Sequence, residues 1–279
     1  MSITINTNIA SINAQRNLGV TQMLLQGNLG RLSTGQRINT AADDAAGLAI
    51  SEKLKAQIRG LSQAERNAND AVSLLQTGEG ALNEVSGIMA RMRELAVEAA
   101  NGTVGPVERG FLNDEFEALT DEIDRIADVT EFNGAKLLDG STSNLVFQVG
   151  INATTNDRLS VSIGDMHAAQ LGGTSNLANQ AISTVAGAQN ALAVIDAAIT
   201  DISAQRGALG AIQNRLNVSI ANLGSARENL SAANSRIRDV DVASETAAMT
   251  RNNILMQAGV SVLAQANQIP SVALSLLRS

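Results

Sequence analysis

The chain lacks cysteine, tryptophan and tyrosine altogether, and only four phenylalanines and two prolines occur among its 279 residues. Without cysteine there can be no disulfides and no thiolate metal sites. A compact globule of this size normally fills its centre with aromatic rings. Here Leu, Ile, Val, Ala and Met must do so, which suits narrow helical bundles with thin cores. Proline is confined to Pro106 and Pro270, so very long uninterrupted helices are allowed. No apolar run approaches membrane-spanning length. The opening MSITINTNIASINAQ has no basic stretch followed by a long apolar one, so a cleaved Sec signal is not expected and export would use another route.

Charge of one sign is also missing from the ends. Residues 1–42 carry Arg16, Arg31 and Arg37 and no acid, and residues 246–279 carry Arg251 and Arg278 and no acid. All 27 acidic residues lie between Asp43 and Glu245. Twenty basic residues less the five in the ends leave fifteen there, so the middle is strongly acidic. With no basic cluster and no interleaved aromatics, nucleic-acid binding is excluded as a function class. A membrane-surface role is disfavoured by ends that lack Trp and hold so few cations.

What is present is a seven-residue rhythm. Leu54, Leu61, Ala68, Leu75, Leu82, Met89 and Ala96 recur without a miss, as do Ile195, Ile202, Leu209, Leu216, Leu223, Leu230 and Ile237. Positions four residues on, including Glu65, Glu79, Arg206 and Arg227, are read as the partner series. Such spacing places each set on one stripe of a helix. The two segments, about 44–100 and about 182–238, have matching lengths of roughly 85 Å, which predicts that they lie side by side, with the Glu and Arg positions hinting at complementary pairing. The rod core is assigned to Leu54, Leu61, Leu75, Leu82, Leu209, Leu216, Leu223 and Leu230. Gly102 to Pro106 breaks the first helix, and Leu112, Phe116, Leu119, Ile123 and Ile126 give a third, shorter one. Turn signals at Asn133-Gly134 and Asp139-Gly140, then alternation through Leu145, Phe147, Val149 and Leu159, Val161, Ile163, predict a small β-hairpin region over about 136–164. Residues 165–180 read as a short linker.

The ends are amphipathic too. Ile5, Ile9, Ile12, Leu25, Leu29 and Leu32 at one end, and Leu255, Val262, Ile269 and Leu276 at the other, form thin apolar stripes against Asn, Gln, Ser and Thr. Helices this weak need a partner.

Chemistry-bearing constellations are sparse. His167 is the only histidine, too little for a metal site or a Ser–His arrangement. Asp43-Asp44 read as N-capping residues at the start of a helix rather than a paired-carboxylate site. The glycines fit neither GxGxxG nor a P-loop. No catalytic, cofactor or metal residues are assigned, and nothing supports a hydrolase built on the acidic middle.

Several blocks in order resemble the bacterial flagellins: SINAQRNL at 11–18, RLSTGQRINTAADDAAGLAIS at 31–51, RMRELAVEAANGT at 91–103, DEIDRIADVTEFNGAKLLDG at 121–140, NRLNVSIANL at 214–223 and SRIRDVDVASETAAMTRNNILMQAGVSVLAQANQ at 235–268. The resemblance implies a mainly α fold: a long antiparallel helical bundle with a small β-hairpin, and terminal helices that pair as a coiled coil. Residues 1–42 plus 246–279 would form the inner-tube domain and 43–245 the rod, without the variable outer domains of larger members. It implies a non-enzymatic, secreted, extracellular subunit of a helical homopolymer for motility, exported by a flagellar type III apparatus. Implied partners are a secretion chaperone and the hook–filament junction and cap proteins. A junction protein shares similar ends and is the rival reading, which the match through the middle disfavours. The resemblance also implies binding to vertebrate Toll-like receptor 5 through Arg91, Leu95 and Glu115.

Overall fold

In a computed structural model that describes residues 7–142 and 144–278 (side chains excepted at 174 and 269–278), the elements run α1 Ile9–Thr34, α2 Ala45–Ala99, α3 Pro106–Val129, β1 Glu131–Phe132, β2 Ala135–Lys136, β3 Leu145–Gln148, β4 Arg158–Val161, α4 Val185–Arg238 and α5 Val242–Arg278. The fold is mainly α, and the two long helices match the ranges predicted by the seven-residue rhythm. The chain forms two compact units. One is Gln57–Glu228; the other comprises the chain up to Ala56 and from Asn229 onward.

Helix boundaries follow from local chemistry. Asp44 Oδ1 accepts the Gly47 N–H at 2.9 Å, and the Asp43 carboxylate accepts the N–H groups of Asn39 and Thr40 and the Thr40 hydroxyl. Asp44 therefore caps the start of α2, as expected, whereas Asp43 closes the turn that precedes the helix and caps none of its N–H groups. Pro106 occupies the first turn of α3, where its missing N–H costs nothing. The Thr184 hydroxyl accepts the Gly187 N–H at the start of α4.

Within Gln57–Glu228, α2 and α4 run antiparallel, joined by Arg227 to Glu65 at 2.6 Å, Gln213 to Glu79 at 2.9 Å and Arg93 to Asp196 at 2.8 Å. One predicted Arg–Glu pair thus forms, whereas Glu79 is met by an amide and not by Arg206. Leu61, Leu75, Leu82, Leu209, Leu216 and Leu223 are buried; Leu54 and Leu230, which belong to the other unit, are half-buried. The second buried series on α2 is Ala64, Ala71, Val85, Met92 and Ala99, three residues after each heptad position instead of the four expected. Arg93 and its equivalents flank the seam, where charge stays solvated. Phe116 is the one fully buried ring, in an extended core otherwise aliphatic that also holds Leu75, Leu82, Met89, Met92 and Ile123.

Two hairpins cover this core. Asn133 (φ 52°) and Gly134 (φ 78°) turn β1 into β2, the positive angles of a two-residue type I′ connection. β3 and β4 pair antiparallel from Leu145↔Val161 to Gln148↔Arg158. The stretch 165–180 is more than a linker: Met166, Ala168, Leu171 and Leu177 are buried, and Gly172 (φ 87°) turns the chain against Val194 of α4.

Candidate functional site

The terminal helices are the part of the molecule whose surface is least accounted for by its own packing. α1 and α5 lie antiparallel in the same compact unit: Asn8 Nδ2 donates to the Ala266 carbonyl at 2.7 Å, Ser11 Oγ to Asn267 Oδ1 at 2.7 Å, and Asn252 Nδ2 to Asn28 Oδ1 at 2.9 Å. At the base, a single antiparallel bridge joins Gln36 to Asp239, flanked by Arg37 N–H to the Arg238 carbonyl at 2.6 Å. Arg238 reaches Gln36 Oε1 at 2.9 Å and forms an ion pair with Glu52.

The seam between α1 and α5 mixes small and polar residues with leucine and methionine. On α1 its residues are Ser11, Ala14, Leu18, Thr21, Leu25, Asn28 and Leu32; on α5 they are Glu245, Met249, Asn252, Met256, Gly259, Leu263 and Ala266, all buried or half-buried. Gly259 lets the helices approach: a Cβ there would stand 3.3 Å from Leu18 Cδ1. Asn28 is buried and satisfied on both sides, since its Nδ2 also donates to Glu245 Oε1 at 2.7 Å. Glu245 in turn stands 3.6 Å from Arg31.

A second set of large apolar residues points elsewhere. Of the residues read from the sequence as assembly stripes, Leu25 and Leu32 enter the seam, whereas Ile9, Ile12, Leu29, Leu255 and Val262 are exposed. Ile5 lies outside the described residues, as do the side chains of Ile269 and Leu276. The sequence reading missed Val20, Met23, Leu24, Ile254 and Val260, which share this exposure; Met23 is 71% exposed and Ile9 63%. A signal existed: in the run Met23-Leu24-Leu25 a helix can turn only one of three neighbours into a narrow seam.

A second surface lies on the middle unit. Arg91 of α2 meets Glu115 of α3 at 2.8 Å and Glu94 at 3.1 Å, and all three side chains are open to solvent. The carboxylates hold the Arg91 guanidinium above its usual pKa, the Glu115 hydrogen bond being the larger cause. Leu95, grouped with them from the sequence, is fully buried in the core. Among the described residues, no cluster of His, Asp and Glu could hold a metal ion, and no helix is long and apolar enough to cross a membrane.

Two long helices sealed by a thin aliphatic core, and an end unit that turns its larger apolar side chains outward, define a structural subunit and not an enzyme. Residues 5–143 match the family described as "Bacterial flagellin N-terminal helical region", and residues 192–277 match "Bacterial flagellin C-terminal helical region". The chain is 50% identical to the flagellin of Halalkalibacterium halodurans, covering 98% of this chain and 99% of that one. It is 48% identical to the flagellin of Bacillus subtilis over the same shares. The crystal structure of Bacillus cereus flagellin superposes with a TM-score of 0.51 at 34% identity, covering 61% of this chain and 94% of that one. The chain belongs to the bacterial flagellin family, and it is a structural component of a flagellar filament outside the cell.

Proposed function

We propose that assembly of this subunit is driven by the outward apolar faces of α1 and α5, which neighbouring subunits cover as the filament grows. The observation that carries this reading is the division of labour in the terminal pair. Its internal seam takes only six large apolar side chains (Leu18, Leu25, Leu32, Met249, Met256 and Leu263), and ten others on the two helices (Ile9, Ile12, Val20, Met23, Leu24, Leu29, Ile254, Leu255, Val260 and Val262) are each more than half exposed in the single chain. Covering what remains exposed would contribute about 1 kcal/mol per residue. A thin seam interrupted by polar residues favours pairing in one register but stabilises it weakly. The pair then depends on its neighbours for most of its stability. Contacts of this kind between unlike surfaces do not close, so the polymer is an open tube.

The inner-tube domain is accordingly residues 1–42 plus 246–279, with 43–245 as the wall-forming rod. Export through a flagellar type III apparatus, a chaperone on the C-terminal helix, and junction and cap proteins at the filament ends complete the reading. The Arg91–Glu115 pair is the accessible part of the face assigned to Toll-like receptor 5; Leu95 would support it from beneath.

Deleting residues 246–279 tests the assembly mechanism. Seeded polymerisation, read by electron microscopy, is expected to be abolished while the unfolding transition of the middle unit stays where it was. Filaments from the shortened chain would overturn the proposal. For the receptor face, Arg91→Ala and Glu115→Ala are expected each to weaken binding in a titration with the monomer, and Arg125→Ala to leave it unchanged; equal effects from all three would remove the assignment.

A further inference from the structure

The only histidine of the chain sits in the packed segment between β4 and α4. His167 Nδ1 is 2.6 Å from Asp165 Oδ1, and the same oxygen accepts the His167 N–H at 3.0 Å. On its other side, Nε2 is 3.7 Å from Oδ1 of Asp128 on α3. One turn earlier on α3, Asp124 accepts the Ala168 N–H at 2.7 Å. The nearby cation is Lys136 of β2, 3.6 Å from Asp128. The imidazole side chain is only 25% exposed. A neutral imidazole has one N–H and can turn it to one carboxylate; an imidazolium has one for each, hydrogen-bonded to Asp165 and in ion-pair range of Asp128.

The surroundings give this ring leverage. Met166 N–H donates to the Leu138 carbonyl at 2.8 Å, and the Asp165 side chain packs on Gly140, where a Cβ would stand 2.9 Å from Asp165 Cβ. Downstream, Leu171 N–H bonds to the His167 carbonyl, and Ala178 N–H to that of Ala168. Residue 167 is therefore the point at which the crossover segment is gripped both by its own carboxylate and by α3.

We propose that His167 is a proton-operated latch: protonated, it clasps Asp165 and Asp128 together and fastens the crossover segment 165–180 to α3; neutral, it releases Asp128 and the segment loosens. The three aspartates raise the imidazole pKa above its usual 6.5, the Asp165 hydrogen bond acting most strongly and partial burial opposing it. A raised folded value means that the stabilisation is present in full below about pH 6.5 and is lost as the pH climbs through the folded pKa. Lys136 remains paired with Asp128 after the proton leaves, so the loss is confined to the crossover segment. The latch closes within one subunit and does not depend on the assembly mechanism proposed above.

The test uses the full chain as monomer, whose single histidine gives one imidazole resonance to titrate. The midpoint is expected above 6.5, falling back in Asp165→Asn and, by less, in Asp128→Asn, and staying put in Asp70→Asn on an exposed part of α2. Hydrogen exchange then reads the segment itself, as protection factors that divide out the base-catalysed chemistry. Between about pH 5.5 and about pH 8.5, protection at Ala168, Leu171, Leu177 and Ala178 is expected to fall by about tenfold for each unit by which the imidazole pKa is raised. In His167→Gln this dependence should vanish. A midpoint at or below 6.5, or a loss of protection that persists in His167→Gln, would overturn the latch.

Discussion

Arg109 offers a sharp test of how the middle unit is held together. α2 ends at Ala99, so its last carbonyls lack intrahelical partners. Arg109, on the first turns of α3 and only 9% exposed, donates Nε–H to the Ala99 carbonyl at 2.7 Å and an Nη2–H to the Asn101 carbonyl at 2.9 Å. Its positive charge also sits where the partial negative charge of the α2 C-terminus is greatest. Each hydrogen bond from a charged donor is worth about 1.5–3 kcal/mol. The Asn101 carbonyl can regain water and the Ala99 carbonyl less readily, so Arg109→Ala should cost about 3 kcal/mol. In a unit spanning Gln57–Glu228 that corresponds to a drop in Tm of about 6–12 °C. Differential scanning calorimetry on the full chain would measure it, with Arg125→Ala as control. Arg125 also makes short bonds, to Glu122, but its side chain is 59% exposed, and such pairs contribute less than about 1 kcal/mol. Arg109→Lys keeps the charge but not the fork, and should recover about half of the loss. A Tm for Arg109→Ala no lower than that of Arg125→Ala would refute this account of how α2 ends.

Leu223→Asp buries an unpaired charge on the heptad stripe and should destabilise the monomer by about 3 kcal/mol or more in thermal unfolding, while the exposed neighbour Asn222→Asp changes little. Gly172→Ala should cost about 1–3 kcal/mol in chemical denaturation, because a side chain at φ 87° is strained and its Cβ would press on Val194, whose carbonyl oxygen would lie only 3.1 Å away. Acid should loosen the turn that precedes α2 first. Bonds from the Thr40 N–H and hydroxyl hold the Asp43 carboxyl below its usual 3.8, so the stabilisation is present above that value and is lost as the pH falls through the lower, folded pKa. Amide exchange at Asn39 and Thr40 reports it, and Asp43→Leu should remove the dependence.

The long helices were legible because a seven-residue repeat is a property of the sequence alone. Which flanking position completes the seam was not. Residues three and four after a heptad position both lie near the stripe, and the stripe itself drifts by about 20° per heptad on a straight helix, so the choice of Ala64 over Glu65 is made by the partner. Arg109 was invisible for a related reason. A lone arginine on an amphipathic helix looks like solvated charge until another helix ends against it. The crossover segment looked polar because its anchors, Met166, Leu171 and Leu177, follow no period. In the terminal pair the sequence showed the right helices but could not say which apolar face turns inward. Ser11, Ala14, Asn28 and Gly259 share the seam with Leu18, Leu25 and Leu263 because small and hydrogen-bonded residues let two thin helices come close, and Ile9 and Leu255 are left outside.

The antiparallel docking of the two end helices also sets a clock. Asn8 and Ala266 meet across a separation of 258 residues, about as non-local as a contact in this chain can be. The long hairpin of α2 and α4 can collapse while the chain is still being delivered, whereas α1 has no partner until α5 exists. Loop closure on this scale comes late. The terminal pair is thus the last part of the molecule to take shape. A chain interrupted before α5 carries no matched pair of ends.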